Sequence, residues 1–268
     1  MNKAAANCSD RTEVKTVRHG LGLVLSGGGM QGAYEIGVWH ALEQIGAAGS
    51  IGGIFGTSVG ALNALLLETA GYRKAHDIWL DLKPSDFCGW PESALIPETA
   101  AAILEKHTAS RQIRREICVF CQSAAPPNPV HMFRLRDCGS DAERSQILLA
   151  SAAMPEQPPV QIGGQFFRGG GIGNANANTP VIPMRAAGWR RILSVWLDYD
   201  AVFPRVPDCK VLHIRPSDRR IGRGFTGLPK TDRKLLHDIM AMGFNDTMLQ
   251  KPLILRLAAE CEAGKEST

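Results

Sequence analysis

The sequence predicts an α/β protein: a central, mostly parallel sheet flanked by helices, in three layers of α, β and α. Three observations carry this. Two short apolar runs, Leu21–Leu25 and Ile51–Phe55, each enter a glycine-bearing turn and then a helical apolar period. The resulting order of strand, turn, helix, strand, turn, helix supplies the crossovers that parallel strands require. Further apolar runs, Arg191–Leu197 and Lys210–Ile214, provide later strands for the same sheet.

The elements follow in order. Leu21–Leu25 ends in Ser26 and three glycines, a buried strand entering a tight turn. From Gln31 to Ile45 the residues Ala33, Ile36, Gly37, Val38, Ala41, Leu42 and Ile45 keep a helical period, and Gly46 is a stop signal. The strand Ile51–Phe55 passes through Gly56-Thr57-Ser58-Val59-Gly60 into a small-residue helix from Val59 to Thr69. Tyr72–Leu82 and Glu98–His107 read as helices, Ser123–Pro129 as a loop and Val130–Leu135 as a strand. Ala142–Ala153 reads as a helix ended by Pro155, and Gln165–Phe167 as a short strand before a glycine- and asparagine-rich stretch. Thr231–Leu249 is amphipathic, with Leu235, Leu236, Ile239, Met242 and Met248 forming a core-facing stripe. No internal repeat is present. Residues 1–20 read as a polar tail and 21–268 as one domain, with the motifs concentrated in 21–185.

Composition bounds the function classes. Hydrophobic residues make up 44% and charged residues 21%, enough apolar material for a sizeable core. The net charge is a mild +4. Arg205, Lys210, Arg215, Arg219, Arg220 and Arg223 gather in one stretch, read as a solvated loop, with weak attraction to anionic lipid headgroups as the sharper alternative. Basic and aromatic residues are not interleaved as in nucleic-acid modules. Of seven cysteines, Cys118 and Cys121 form a C-x-x-C without a second pair at zinc-finger spacing, so they read as buried thiols on a helix or loop. The N-terminus has no apolar signal-like core, and no run of 18 apolar residues exists. The expected location is the cytoplasm, with peripheral contact to membrane allowed.

Two motifs carry chemistry. Gly56-Thr57-Ser58-Val59-Gly60, between a strand and a helix, has the pattern of a strained turn that lifts a serine hydroxyl out of a sheet. Gly56 and Gly60 suit it because the backbone doubles back on itself, and the following helix aims its positive dipole end at the serine. Gly27-Gly28-Gly29-Met30-Gln31-Gly32 fits either a dinucleotide loop or an oxyanion hole. No acidic residue ends a second strand, as dinucleotide binding requires. A serine elbow 26 residues after Gly32 favours the oxyanion reading, with Gly27, Gly28 and Gly29 as donors. Neither motif requires a metal or organic cofactor.

The segments LGLVLSGGGMQGAYEIGVWHAL and IGGIFGTSVGALNALLL resemble the opening of the patatin-like phospholipase family. The likeness continues through LLASAAMPEQPPV to Asn178–Val181, and more weakly to the helix around Gly243. The resemblance implies a lipid acyl hydrolase acting through an acyl-enzyme on Ser58, with a lipid or membrane-surface substrate; it names no activating partner. The family loop carries Arg or Lys where this chain has Gln31.

The family completes its dyad with an aspartate before two small residues. Counting along QIGGQFFRGGGIG puts that aspartate at Gly169, followed by Gly170 and Gly171. Glycine cannot act as a base, and neither can the guanidinium of Arg168. Three explanations remain open: an inactivated chain with an intact pocket that binds lipid or acyl groups, a substitute carboxylate at Asp198 or Asp200, or a histidine base, for which His213 is best placed.

Overall fold

The computed structural model describes residues 6–7, 18–88, 94–171, 173–219 and 232–263. Arg220, Arg223, Thr231 and most of the N-terminal tail lie outside the described residues. In chain order the elements are β1 (Ala6–Asn7), β2 (Leu21–Leu25), α1 (Ala33–Gln44), β3 (Ile51–Gly56), α2 (Val59–Asp81), β4 (Phe87–Cys88) and β5 (Ala94–Leu95). Then come α3 (Pro97–Thr108), β6 (Glu116–Ser123), β7 (Val130–Arg134), α4 (Asp141–Ala152), β8 (Val160–Ile162), β9 (Gln165–Gly169) and α5 (Ala175–Asn178). The chain continues through α6 (Val181–Ala186), β10 (Arg191–Val195), β11 (Lys210–Ile214), α7 (Arg233–Leu249) and α8 (Lys251–Ala263).

The centre of the main sheet is a parallel ladder in the order β6, β3, β2, β10, β11. Parallel strands are covered on both faces, which is why β2 and β3 read as continuous apolar runs without alternation. Leu21, Leu23, Leu25 and Ile54 belong to one core, and Val24 and Phe55 to the core on the opposite face. Antiparallel strands join the ladder at β6: β7 lies along one edge of β6, with β1 outside it, and the β8–β9 hairpin also joins β6.

The layers are unequal. The first core packs residues from α1, α2, α4, α7 and α8 against the sheet. The second is covered by α6 and an aromatic segment that includes Trp189, Trp196 and Phe203. The expected three layers are present, and the third is thin.

Local features explain several boundaries. Gly46 closes α1 in the left-handed region, φ 78°. The two helices expected on either side of residue 70 are one run of helix broken at Gly71, where φ is 76° and ψ 170°. Cys118 and Cys121 lie on β6, not on a helix or loop. Three positions apart on a strand, they point to opposite faces and pack in different cores. Of the basic stretch, Lys210 is on β11 and bonds Glu260 at 2.7 Å, while Arg215 lies over the Tyr199 and Phe203 rings. Arg219 pairs with Asp200 at 3.1 Å; the described cations of the stretch, Arg205, Lys210, Arg215 and Arg219, are all exposed, and the last three also make these local contacts.

α7 packs on α1 so closely that the backbones meet. A Cβ at Gly37 would collide with the Met240 carbonyl, and one at Gly243 with the Tyr34 carbonyl. The Tyr34 hydroxyl donates to Asp246 at 2.9 Å across the same seam, and burial with the Asp246 charge raises its pKa. Overpacking against backbone cannot be relieved by a rotamer change. Gly243→Ala should therefore cost about 1–3 kcal/mol in urea denaturation. Gly49→Ala, where a Cβ meets nothing within 4 Å, should stay within about 0.5 kcal/mol of wild type.

Candidate active site

The pentapeptide forms a sharp turn between β3 and α2. Ser58 has φ 53° and ψ −126°, a conformation few non-glycine residues hold and one that stores about 1–3 kcal/mol. Two contacts explain the glycines around it. A Cβ at Gly56 would lie 2.7 Å from the Ala61 nitrogen, and one at Gly60 2.5 Å from the Leu25 carbonyl oxygen. α2 therefore starts directly against the end of β2, and its N-terminus points at Ser58. Thr57 locks the turn by donating from Oγ1 to the Ala177 carbonyl at 2.5 Å and from its N–H to Leu25 at 3.3 Å. The Ser58 N–H donates to Ser151 Oγ at 2.8 Å, and that hydroxyl donates to the Phe120 carbonyl at 2.7 Å. Ser58 itself is half-buried.

The glycine loop stands beside this turn because β2 and β3 are adjacent and parallel, so both carboxyl ends open on one edge of the sheet. A Cβ on Gly27 would come within 3.3 Å of Ser58 Cβ. Asn178 ties the loop down: it accepts the Gly27 N–H on its backbone carbonyl at 3.1 Å and donates Nδ2 to the Gly27 carbonyl at 3.2 Å. Gly27 therefore spends its N–H on structure and drops out of the expected donor set. No backbone acceptor among the described residues takes the N–H groups of Gly28 and Gly29. Gly29 has φ 57° and begins a 3-10 turn through Gly32 that leads into α1.

The position expected to hold the base lies at the same place. β6 pairs with β7 on one edge, so β3 and β9 share the other. Gly56 faces Val119 and Gly169 faces Cys121, so the ends of β3 and β9 approach within about 7 Å along the strand, two residues at ~3.3 Å each. Gly169 donates its N–H to the Ala153 carbonyl at 2.9 Å. Side chains are shut out of the next two positions, since a Cβ at Gly170 would strike the Phe120 carbonyl and one at Gly171 the Asn178 side chain. No described side chain bonds the Ser58 hydroxyl.

The substitute bases are occupied elsewhere. Asp198 and Asp200 are exposed beyond β10, where Asp198 accepts the Asp200 N–H at 2.9 Å and Asp200 pairs with Arg219. His213 accepts from Trp196 Nε1 on Nδ1 at 3.1 Å and stacks on Phe203, centroids 4.1 Å apart. Burial lowers its pKa. It lies on β11, three strands from β3. Among the described residues no group of three or more His, Cys, Asp or Glu side chains could hold a metal. Among them also, no helix is long and apolar enough to cross a membrane.

A strained serine turn and a glycine loop at adjacent strand ends coincide with a family match. Residues 23–183 match the patatin-like phospholipase family. The chain belongs to that family. No curated protein matches it. Among solved structures it is similar to VipD from Legionella pneumophila, with TM-score 0.51 and 12% identity over 91% of this chain and 71% of that one. It is also similar to the type III effector protein ExoU, with TM-score 0.50 and 12% identity over 91% of this chain and 54% of that one. A complex of ExoU with SpcU from Pseudomonas aeruginosa gives TM-score 0.45, with 14% identity over 94% of this chain and 58% of that one. The chain thus spans little more than half of ExoU, and at these identities the likeness concerns the fold.

In this patatin-like fold three positions around the serine escaped the sequence reading. Ser151 holds the Ser58 N–H; its signal was a polar residue in the apolar run of α4. Asn178 was noted only as part of NTPV, yet it bridges the Gly27 loop and the Gly171 turn. Glu35, fully buried in α1, accepts from Asn63 Nδ2 at 2.8 Å and from the Ser26 N–H.

Burial pushes the Glu35 carboxyl up to about 8, against the opposing pull of Asn63 and Ser26. In the unfolded chain this carboxyl ionises near 4.5. The folded state then holds a proton that the unfolded state has released, so the contribution to stability is present below pH 4.5 and lost as pH rises to about 8. Thermal denaturation of Glu35→Gln should show a flatter decline of Tm over that interval than the parent chain. An identical slope would mean that Glu35 is ionised in the fold.

Proposed function

We propose that this chain is a lipid acyl hydrolase of phospholipase A type, with Ser58 as nucleophile and the N–H groups of Gly28 and Gly29 as oxyanion donors. Ser58 Oγ would form a bond to the acyl carbonyl carbon while its proton leaves to a base. The carbonyl oxygen would gain negative charge between the loop amides and the N-terminus of α2. Collapse would break the ester C–O bond as the base returns that proton to the departing oxygen, expelling the alcohol and leaving an acyl-enzyme that water resolves. The observation that carries this reading is the Ser58 turn, strained at φ 53° and set beside the glycine loop. The substrate follows from the family: a lipid ester presented at a membrane surface.

Gly169 limits the rate. Without a general base, proton transfer from Ser58 slows the reaction by roughly 10²–10⁴-fold. That observation favours a second reading, in which the chain keeps the site for acyl binding and has lost turnover.

Fatty-acid release from mixed phospholipid vesicles separates the two. The expected result is little or no release by the parent chain, release by Gly169→Asp, and none by Gly169→Asp combined with Ser58→Ala. Ser58-dependent release by the parent chain would require a base outside the positions weighed above. If Gly169→Asp also stays silent, the hydrolase reading gives way to acyl binding.

A further inference from the structure

The polar contacts beneath the glycine loop converge on one side chain that the reaction scheme does not use. Asn63 lies in the second turn of α2 and is 1% exposed, amid Leu62, Ala64, Leu65 and Leu66. Its Nδ2 donates both hydrogens, to the Gly32 carbonyl at 3.0 Å and to Glu35 Oε2 at 2.8 Å. Its Oδ1 accepts from Trp79 Nε1 at 2.9 Å. The carboxamide orientation is therefore fixed: reversed, it would set Oδ1 against two acceptors and Nδ2 against an indole donor. Each partner has a different place in the fold. Gly32 closes the 3-10 turn of the glycine loop, Glu35 sits in the first turn of α1, and Trp79 is on the far side of the Gly71 break.

Asn63 and Ser58 are on the same short stretch of α2, so the Gly32 bond measures the loop directly against the serine turn. Gly32 permits that approach, since a Cβ there would collide with a Val59 methyl and stand 3.1 Å from Asn63 Nδ2. The Gly28 carbonyl accepts the Gln31 N–H at 3.2 Å, whereas the N–H groups of Gly28 and Gly29 have no backbone acceptor among the described residues to fix them. We propose that Asn63 is a positioning residue that holds the glycine loop in register with the Ser58 turn, and so sets where the oxyanion donors point. This rests on the reading of Ser58 and the loop given above. Glu35 and Trp79 serve as its supports: one takes the second hydrogen, the other prevents rotation.

The test pairs Asn63→Leu, which replaces the carboxamide by an apolar side chain of similar size, with Trp79→Phe, which removes the donor to Oδ1 together with part of a buried ring. Two measurements are made on each full-length variant. Hydrogen exchange followed by mass spectrometry should show the amides of residues 28–32 exchanging about tenfold faster in Asn63→Leu, as loss of a buried hydrogen bond allows. The amides of β2 and β3 should be unchanged. Trp79→Phe should shift the loop in the same direction by less. Labelling of Ser58 by a fluorophosphonate, measured with each variant combined with Gly169→Asp, should slow in its maximal rate with no change in half-saturating concentration, because the donors are misplaced while the acyl site is intact.

Loop exchange equal to that of the parent chain in both variants overturns the proposal. So does acceleration spread evenly over the sheet, which would make Asn63 a general stabiliser. If Asn63→Leu does not fold, Trp79→Phe decides by the same criteria. Absence of labelling in Gly169→Asp itself would count against Ser58 as nucleophile and leave the exchange comparison to decide the role of Asn63.

Discussion

The contact on which the site depends is between backbones: the first turn of α2 lies against the last residues of β2. Gly60 makes it possible, because any Cβ there would press on the Leu25 and Ser26 carbonyls. Once α2 is seated this way, the chain between β3 and α2 has only Thr57 and Ser58 in which to reverse. The left-handed conformation of Ser58 is the geometric result. The strain is held by bonds on both sides, from Thr57 to Ala177 and from Ser58 to Ser151, so the elbow is over-determined rather than loose. The same seating brings Asn63 under Gly32. Serine turn and glycine loop are two consequences of one packing decision.

Much of this was legible in the residues. The strands β2, β3, β10 and β11 and the helices α1, α3, α4 and α7 stand close to their expected bounds, because apolar period and glycine punctuation agree there; α2 joins two expected helices across Gly71. β6 went unread because EICVFCQS is apolar on both faces and carries the C-x-x-C that invited a different question. Its position in the sheet depends on β3, β7 and β9, which no local pattern encodes. α8 follows α7 after one residue and has proline at its second position, a common signal that a helix has stopped; here it occupies the first turn, where its missing N–H costs nothing.

The site divides along the same line. Ser58 and the glycine loop are local motifs, and the sequence identifies them. Which of the loop's amides remain available is a long-range matter, settled by Asn178, 151 positions from Gly27. Ser151 and Asn63 likewise act across 93 and 31 positions on Ser58 and Gly32. Their shared mark in the sequence is a single uncharged polar residue inside an apolar helical run. Such a residue is stable when buried only if its hydrogen bonds are met elsewhere in the fold.

The substitution at 169 can be understood from this division. None of the bonds that shape the serine turn or the loop needs a carboxylate at the end of β9. Gly169 makes its bond to Ala153 through the backbone, as any residue would, and Gly170 and Gly171 keep the close approaches that exclude side chains. If position 169 is the base position, as proposed, glycine there removes a proton acceptor without removing a support. Gly60, Asn178 and Ser151 are held by packing and hydrogen bonds whether or not turnover occurs. On the proposed reading, a fold built this way would lose its chemistry in one step and keep the serine, the two amides and the helix end in place.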